Sequence, residues 1–425
     1  MTSRNYETDP VYRVKELYEQ RSALQSQSDQ LRADRDAIQQ KIRQSSSNCD
    51  RYVQEAKNHK ERLKQIMNQL IAVDAELLEQ ALQIPNETHV DVPRGSEANA
   101  RVIKTVGKPL QGDALEDHVS IAQRLDLIDF EQASLISGSK FYYLKNGAAW
   151  LEWALIQYAM QKAALRGFEP VLTPDIVKTS IAYGCGFQPR KREASQIYDV
   201  STPSSNTQMC LVGTAEIPLA GLMAKKMLNE EALPKRMVGF SHAFRAEAGH
   251  GSAEERGLYR VHQFSKVELF TVTTPQQSEA MLEELRELQE DMFRDLELCF
   301  RVLDMPTEEL GASAYRKYDI EAWLPGKNGW GEISSTSNCT NYQSRRLDIR
   351  YLSKDFKEQV GTKDVRVPWH IKEKWVDYCH TLNGTAMAVP RMIIALLETH
   401  QRPDGTVHIP LPLRKWIPGE PSVLQ

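Results

Sequence analysis

The N-terminal part of the chain carries a heptad pattern of apolar residues on a helix-forming background. Residues 11–82 contain no proline and no glycine, and Glu, Gln, Lys, Arg, Ala and Leu dominate. A first apolar series recurs every seven positions, at Leu17, Leu24, Leu31 and Ile38. A second series alternates in steps of three and four, at Leu63, Ile66, Leu70, Val73 and Leu77. A polar turn at residues 45–48 separates the two, so the pattern predicts an antiparallel coiled-coil arm over residues 1–83.

The pattern changes after the arm, where breakers interrupt it at Pro85, Pro93, Gly95, Gly107 and Pro109. They predict a linker over residues 84–117 and a globular domain over residues 118–425. Within this domain, residues 148–166 have helical apolar spacing that ends at Gly167, as is typical of a helix C-cap. An extended segment then runs to Pro174.

A long hairpin is predicted within residues 244–270, where two alternating segments flank a polar stretch. We expect Arg245 on one strand and Arg260 on the other, where two guanidinium groups can hold a polyphosphate. Phe264 lies four positions after Arg260, so period-two spacing places both on one face and lets the ring cover a base. An ordinary half-solvated hairpin with surface arginines explains this pair equally well on its own.

Composition and charge narrow the classes of function. The 425 residues are 41% apolar and 26% charged, as is ordinary for a soluble globular protein. The net charge of −4 gives no overall attraction to nucleic acid, so RNA binding needs a local patch. Basic residues do outnumber acidic ones towards the arm tip, at Arg32, Arg35, Lys41, Arg43, Arg51, Lys57, Lys60, Arg62 and Lys64.

Other sequence features bear on the compartment. No apolar run is long enough to span a membrane, and the N-terminus does not have the pattern of a signal peptide. The six cysteines are scattered without Cys-x-x-Cys spacing, which indicates neither a zinc site nor a disulfide framework. We expect a soluble protein of a reducing compartment, either the cytoplasm or the mitochondrial matrix.

Three segments resemble the motifs of class II aminoacyl-tRNA synthetases. Phe-Arg-x-Glu at residues 244–247, a loop, and Arg-x-x-x-Phe at residues 260–264 resemble motif 2. The sequence Arg-Gly-Leu-x-Arg-Val-His-Gln-Phe-x-Lys-Val-Glu at residues 256–268 is similar to that of seryl-tRNA synthetases. Residues 148–174 resemble motif 1, which forms the dimer interface, and residues 382–391 resemble motif 3. The predicted arm is similar to the tRNA-binding arm of the same family.

The resemblance implies an ATP site and a magnesium site. Arg245, Arg260 and Arg391 are expected to bind phosphates, and Phe264 to stack on adenine. The other expected ATP contacts are Ala246, Glu247, Val261, Glu332, Ile333, Ser334 and Ser335. Glu332 and Ser335 offer hard oxygen ligands close together, which suits Mg²⁺ shared with ATP. A Ser/Thr-rich loop that caps a helix is the alternative interpretation of this segment.

The resemblance also implies a serine site. Thr214 and Glu216, on either side of Ala215, match the Thr-x-Glu loop that holds the serine α-amino group in the family. Taken alone, such a pair more often caps a helix. Thr385 falls where the family binds serine, and the expected set is completed by Arg245, Glu268 and Asn383.

The fold implied is α+β, a helical-hairpin arm followed by an antiparallel sheet flanked by helices. The function implied is that of a serine–tRNA ligase, which forms seryl-adenylate from L-serine and ATP and transfers serine to the 3′ end of tRNA(Ser). Its cofactors would be ATP and Mg²⁺, and its assembly a homodimer. A catalytically silent synthetase-like dimer and a class II synthetase for another amino acid are the alternatives.

Overall fold

The computed structural model describes residues 1–44, 49–112, 115–188, 196–201, 207–247, 257–355 and 373–425. The chain divides into two compact units, Met1–Pro85 and Asn86–Gln425. The turn expected at residues 45–48 and the polar stretch of the hairpin at residues 250–254 lie outside the described residues. Within the described part of the chain, no helix is long and apolar enough to cross a membrane.

The first unit is a helical hairpin whose two long helices are α1 (Asp9–Gln44) and α2 (Cys49–Leu82). Residues buried in its seam include Leu17, Leu31, Ile38 and Leu70. Arg21 binds Asp74 at 2.7 Å, and the Ser28 hydroxyl contacts the Met67 sulfur at 3.9 Å. Residues further along α1 contact residues earlier in α2, so the two helices are antiparallel. The predicted coiled-coil arm is confirmed.

The second unit contains helices and strands in alternation. Its α-helices are α3 (His118–Arg124), α4 (Glu131–Ser137), α5 (Asn146–Leu165), α6 (Thr179–Gly184), α7 (Glu216–Met223), α8 (Ser278–Asp295), α9 (Tyr342–Leu347), α10 (Val389–Thr399) and α11 (Leu411–Arg414). Its strands are β1 (Arg101–Val106), β2 (Ile128–Asp129), β3 (Tyr143–Leu144), β4 (Glu169–Leu172), β5 (Ile176–Lys178), β6 (Asp199–Val200), β7 (Met209–Leu211), β8 (Met227–Asn229), β9 (Lys235–Phe244), β10 (Gln263–Thr273), β11 (Phe300–Asp304), β12 (Arg316–Leu324), β13 (Gly329–Asn338), β14 (Arg350–Leu352), β15 (Val376–Tyr378), β16 (His380–Ala388), β17 (Val407–His408) and β18 (Val423–Leu424).

An eight-stranded sheet organises this unit, in the order β1-β11-β12-β13-β16-β10-β9-β4. All neighbouring strands are antiparallel except β4, which runs parallel to β9. Helices flank this sheet, so the predicted α+β fold with a mainly antiparallel sheet is confirmed.

Strand β10 is covered on both faces. Val267 and Leu269 pack with residues of α5, α8 and α10, whereas Phe270 and Val272 pack with residues of α6, α7 and α9. Side chains alternate between the faces of a strand, so double coverage buries every residue from Ser265 onwards. A charged residue in this strand is therefore removed from water and needs a partner.

The expected linker over residues 84–117 contains a strand of the main sheet. β1 pairs with β11 at the sheet edge, and its residues are exposed up to the half-buried Val106. The Asn86 side-chain amide donates to the backbone carbonyls of Ser313 and Cys339, both at 2.8 Å. The linker interpretation is therefore wrong for this stretch. The strand was not predicted because an exposed edge strand between breakers shows little apolar alternation.

Candidate active site

An open cavity lies where β10, β13 and β16 meet the start of α10. Most of the expected ATP-site residues line it, together with the expected serine residue Thr385. They are Arg245, Glu247, Arg260, Val261, Phe264, Glu332, Ile333, Ser334, Ser335 and Arg391. Ala246 lies outside the lining and donates its backbone N–H to the Gln196 carbonyl at 3.0 Å.

The two arginines of the hairpin lie beside its strands rather than within them. Arg245 follows the last residue of β9, and Arg260 precedes β10 in a bend. A turn begins at Gly257, whose φ of 69° is in the left-handed region that glycine favours. The strand assignment of both arginines is therefore wrong, and so is the period-two argument that linked Arg260 to Phe264. The cavity still brings all three residues together.

Positive charge is concentrated in the cavity. The Arg245 guanidinium lies 5.3 Å from the centre of the Phe264 ring. Burial and then the nearby charge of Arg391 lower the pKa of Arg245. The positive charges of Arg245 and Arg391 repel each other in a partly desolvated cavity, so an anion that binds between them would be stabilised.

Arg391 is positioned by β13 and by the turn before β10. Its Nη1 lies 3.0 Å from Glu332 Oε2 and donates to the Glu332 carbonyl at 3.1 Å. Its guanidinium also lies 4.7 Å from the centre of the Tyr259 ring, and the Tyr259 hydroxyl accepts from the Glu332 N–H at 2.9 Å. Burial opposes ionisation of Glu332, but Arg391 and Lys317 outweigh it and lower its pKa to about 2.

A β-bulge turns Glu332 and Ser335 to the same cavity. Residues three apart in a regular strand face opposite sides. Here Glu321 and Ile320 on β12 pair with Glu332 and Ser334, so Ile333 is an extra residue that shifts the alternation. The segment is thus a strand, and the alternative of a helix-capping loop is wrong.

The expected serine residues form a buried network around Glu216. Glu216 Oε1 accepts from the Gln343 amide at 2.6 Å and from the Asn383 amide at 2.9 Å. Burial and then the charge of Glu268 raise the pKa of Glu216 to about 7. The Thr214 hydroxyl accepts from the Glu216 N–H at 3.3 Å, so the capping interaction is also present. Ala215 between them is fully buried.

Glu268 lies on the other side of this network. Thr385, its partner across β10 and β16, donates its hydroxyl to Glu268 Oε2 at 3.5 Å. Lys266 lies on the same face of β10, and its Nζ lies 2.5 Å from the same carboxylate oxygen. Lys266 also donates to the Thr214 hydroxyl at 3.2 Å, which joins the two halves of the expected serine site.

Four residues of the site were not predicted from the sequence. Lys266 and Tyr259 lie inside the motif 2 segment, and Gln343 lies just after the Glu332–Ser335 pair. Asp319, on β12 opposite Ser335, is buried, and its Oδ1 has no hydrogen-bond partner among the described residues. Only the lysine carried a signal in the sequence, because a charge within a strongly apolar strand indicates a special environment.

Two family models match the chain. Residues 1–88 match the seryl-tRNA synthetase N-terminal domain, and residues 198–362 match the tRNA synthetase class II core domain of the G, H, P, S and T types. The first match covers the arm, and the second covers motif 2 and the Glu332–Ser335 strand.

Similar proteins include serine–tRNA ligases from several organisms. The chain is 43% identical to the serine–tRNA ligase of Treponema denticola over 401 residues, which are 93% of this chain and 90% of the relative. It is 40% identical to the mitochondrial serine–tRNA ligase of Schizosaccharomyces pombe, covering 97% of this chain and 83% of the relative. The crystal structure of seryl-tRNA synthetase from Pyrococcus horikoshii complexed with ATP has a TM-score of 0.84 and 31% identity, covering 97% of this chain and 92% of that one. With the arm, the sheet and the cavity in agreement, the chain belongs to the seryl-tRNA synthetase family.

Proposed function

We propose that this chain activates L-serine with ATP at the described cavity and transfers the seryl group to tRNA(Ser). The observation that carries the proposal is the junction between the arginine-lined cavity and the buried Thr214–Glu216–Glu268 network. A serine carboxylate oxygen would attack the α-phosphorus, and pyrophosphate would leave. The terminal ribose hydroxyl of tRNA would then attack the seryl carbonyl and release AMP.

Positioning and charge stabilisation, rather than a side-chain nucleophile, account for the chemistry. Arg245 and Arg391 would contact the phosphates in a cavity where water competes poorly. Arg260 is the more exposed arginine, and its Nε lies 2.8 Å from Glu247 Oε2. Phe264 supplies an aromatic surface beside Arg245, as an adenine ring requires. Val261, Ile333, Ser334 and Ala246 complete the proposed nucleotide contacts.

The residues present fit a magnesium ion held together with ATP. Glu332 and Ser335 bring a carboxylate and a hydroxyl to the cavity wall. Asp319, the partner of Ser335 across β12 and β13, is buried; its Oδ2 lies 2.9 Å from Lys317 Nζ, and its Oδ1 has no hydrogen-bond partner among the described residues. The described residues contain no cluster of three or more His, Cys, Asp or Glu that could hold a metal alone. Mg²⁺ is commonly bound by one or two protein oxygens plus substrate phosphates. When bound, the ion would neutralise phosphate charge, while Arg391 keeps Glu332 ionised.

Selection of serine would rest on polar groups that alanine leaves unpaired. Glu216, Thr214 and Ala215 form the proposed ammonium pocket, with Asn383 holding Glu216 in place. Glu268 and Thr385 would bind the substrate hydroxyl, and Arg245 the carboxylate. Leaving such buried groups without a partner costs more than losing a methylene contact.

Pyrophosphate exchange tests this specificity. The unmodified chain should exchange labelled pyrophosphate into ATP with L-serine and far less with L-alanine or L-threonine. Equal exchange with alanine would contradict the serine site. Exchange with none of the three would favour the catalytically silent alternative.

A homodimer is also part of the proposal. Large apolar side chains of α5 and β4 are exposed: Trp150 at 47%, Trp153 at 56% and Leu172 at 85%. An apolar patch on the motif 1 elements is typical of a protein interface. Trp153→Glu with Leu172→Glu should give a monomer in sedimentation equilibrium. Val90→Glu, at another exposed position, should leave the dimer intact. A monomeric unmodified chain at micromolar concentration would contradict the proposal.

A further inference from the structure

Lys266 occupies two acceptors that the proposed serine site needs. Its ammonium lies 2.5 Å from Glu268 Oε2 and 3.2 Å from Thr214 Oγ1. The lysine side chain is 9% exposed and lines the cavity, whereas Thr214 and Glu268 lie outside the lining. A serine molecule that enters from the cavity and binds Glu268 and Thr214 competes with the lysine ammonium for Glu268 Oε2 and for the Thr214 hydroxyl.

The displaced ammonium needs another anion, because a buried charge without a partner is costly. Among the described residues, the glutamates that line the cavity are Glu247 and Glu332, and both already bind arginines. Glu247 lies 2.8 Å from Arg260, and Glu332 lies 3.0 Å from Arg391. The entering serine itself brings a carboxylate. A zwitterionic substrate can therefore replace the lysine at the acceptors and offer it a new partner at the same time.

We propose that Lys266 is a counter-ion that changes partners when serine binds. In the arrangement described, it binds Glu268 and Thr214, and it moves to the serine carboxylate when serine binds. In the first state it keeps the buried Glu268 paired, and in the second it helps to orient the carboxylate towards the phosphate-binding arginines. This inference rests on the serine site proposed above and adds a substrate-binding residue to it.

Two ligands distinguish this role from a structural one. Serinol has the ammonium and a hydroxyl group of serine but no carboxylate. In isothermal titration calorimetry, Lys266→Met should weaken the binding of L-serine by about tenfold to a hundredfold, the range for a hydrogen bond between charged groups. The same variant should bind serinol several-fold more tightly, because the competitor for Glu268 and Thr214 is gone. Opposite signs for the two ligands are the expected result.

Several outcomes would overturn the proposal. Equal weakening of both ligands would mean that Lys266 only organises Glu268, and no change would mean that it is a bystander. Lys104→Met is the matched control, because Lys104 pairs with the buried Glu290 at 2.7 Å on α8, and it should alter neither affinity. If Lys266→Met does not fold, Lys266→Gln gives the same comparison.

Two further measurements complete the test. A crystal structure of the unmodified chain with L-serine should show Lys266 Nζ within hydrogen-bond distance of the substrate carboxylate. A lysine still bound to both Glu268 and Thr214 would contradict the exchange of partners. Failure of the serine site itself would look different, since the unmodified chain would then bind neither L-serine nor serinol.

Discussion

The arm, which is the first unit, and the second unit, which contains the cavity, differ in how far their charged residues are exposed to water. In the arm, apolar residues such as Leu17 and Leu70 form a narrow seam, and the ionic side chains remain in water. The Arg21–Asp74 pair between its helices leaves 40% and 50% of the two side chains exposed. In the second unit, Lys266 and Glu268 leave only 9% and 2% exposed.

This difference matches two kinds of task. Exposed charges keep their hydration and side-chain freedom, so they attract phosphates through counterion release without fixed geometry. Buried charges are costly unless they are paired, and the partners then fix their positions. Activation of an amino acid needs fixed positions, whereas gripping RNA needs many adaptable contacts. The comparison predicts that substitutions in the two units have separable effects.

The largest effect is expected for Arg245→Ala. Loss of this guanidinium should lower kcat/KM for ATP in pyrophosphate exchange by about 10²–10³-fold, the usual effect of removing one electrostatic group. Binding of tRNA should change little. Arg236→Ala is the control, because Arg236 lies at the other end of β9 and pairs with Glu284. If both variants lose activity equally, the loss would come from the strand and not from the cavity.

A smaller effect is expected for Glu216→Gln. Because burial and Glu268 raise the pKa of Glu216 to about 7, its ionised fraction grows as pH increases through that value. The ammonium of L-serine needs this negative charge, so the affinity for L-serine should rise with pH and then level off. Lys266 and Glu268 are the charged residues that act on Glu216. The variant should bind serine about tenfold to a hundredfold more weakly and lose this pH dependence.

Calorimetry from one unit below to one unit above that pKa measures this change. Glu290→Gln is the control, a buried glutamate of α8 bound by Lys104 and Arg286. It should retain the pH dependence of serine binding. An unchanged pH profile in Glu216→Gln would remove Glu216 from the ammonium site.

Neutralising the arm tip should act on RNA alone. We expect four basic residues of α1 and α2 to contact tRNA: Arg32, Lys57 and Lys60, which are exposed, and Arg35, which is half-buried. Their joint replacement by Gln should weaken tRNA binding most at low salt and reduce the slope of log K against log salt by about 3. Lys15→Gln, near the base of the arm, should leave that slope nearly unchanged. Filter binding over a salt series measures it, and an unchanged slope in the fourfold variant would contradict the contacts.

The smallest effect is expected for Arg21→Gln. Its ion pair with Asp74 is exposed, and such pairs contribute about 0–1 kcal/mol. Thermal unfolding followed by helical circular dichroism should therefore shift very little, and less still at high salt. A loss of several kcal/mol would mean that the arm depends on fixed ion pairs, which would remove the contrast between the two units.

The sequence predicted these two regions to different depths, for a physical reason. The heptad pattern specifies the arm because each helix buries a stripe set by its own residues, as Leu31 and Leu70 do. The site residues were found through motifs, but their arrangement depends on pairing between distant strands. No local pattern shows the extra residue at Ile333 that turns Glu332 and Ser335 to one cavity. The partners of Lys266 also depend on tertiary contacts.

The edge strand β1 was also not predictable from its local sequence. Its residues face solvent, so its sequence lacks the apolar alternation that marks buried strands, and pairing with β11 alone defines it. The turn that precedes Arg260 likewise begins at Gly257, whose φ of 69° lies in the left-handed region and is not marked by any apolar pattern.

Our central proposal is that the arm binds tRNA and that the second unit activates serine. The most direct measurement compares the full chain with a chain that begins at Asn86, the first residue of the second compact unit. The shortened chain should melt cooperatively and retain serine-dependent pyrophosphate exchange, while charging of tRNA(Ser) falls by about a hundredfold or more. Loss of both activities in a cooperatively folded protein would make the arm part of the activation machinery, and retention of both would make it a structural coiled coil. Either result would contradict the division of labour.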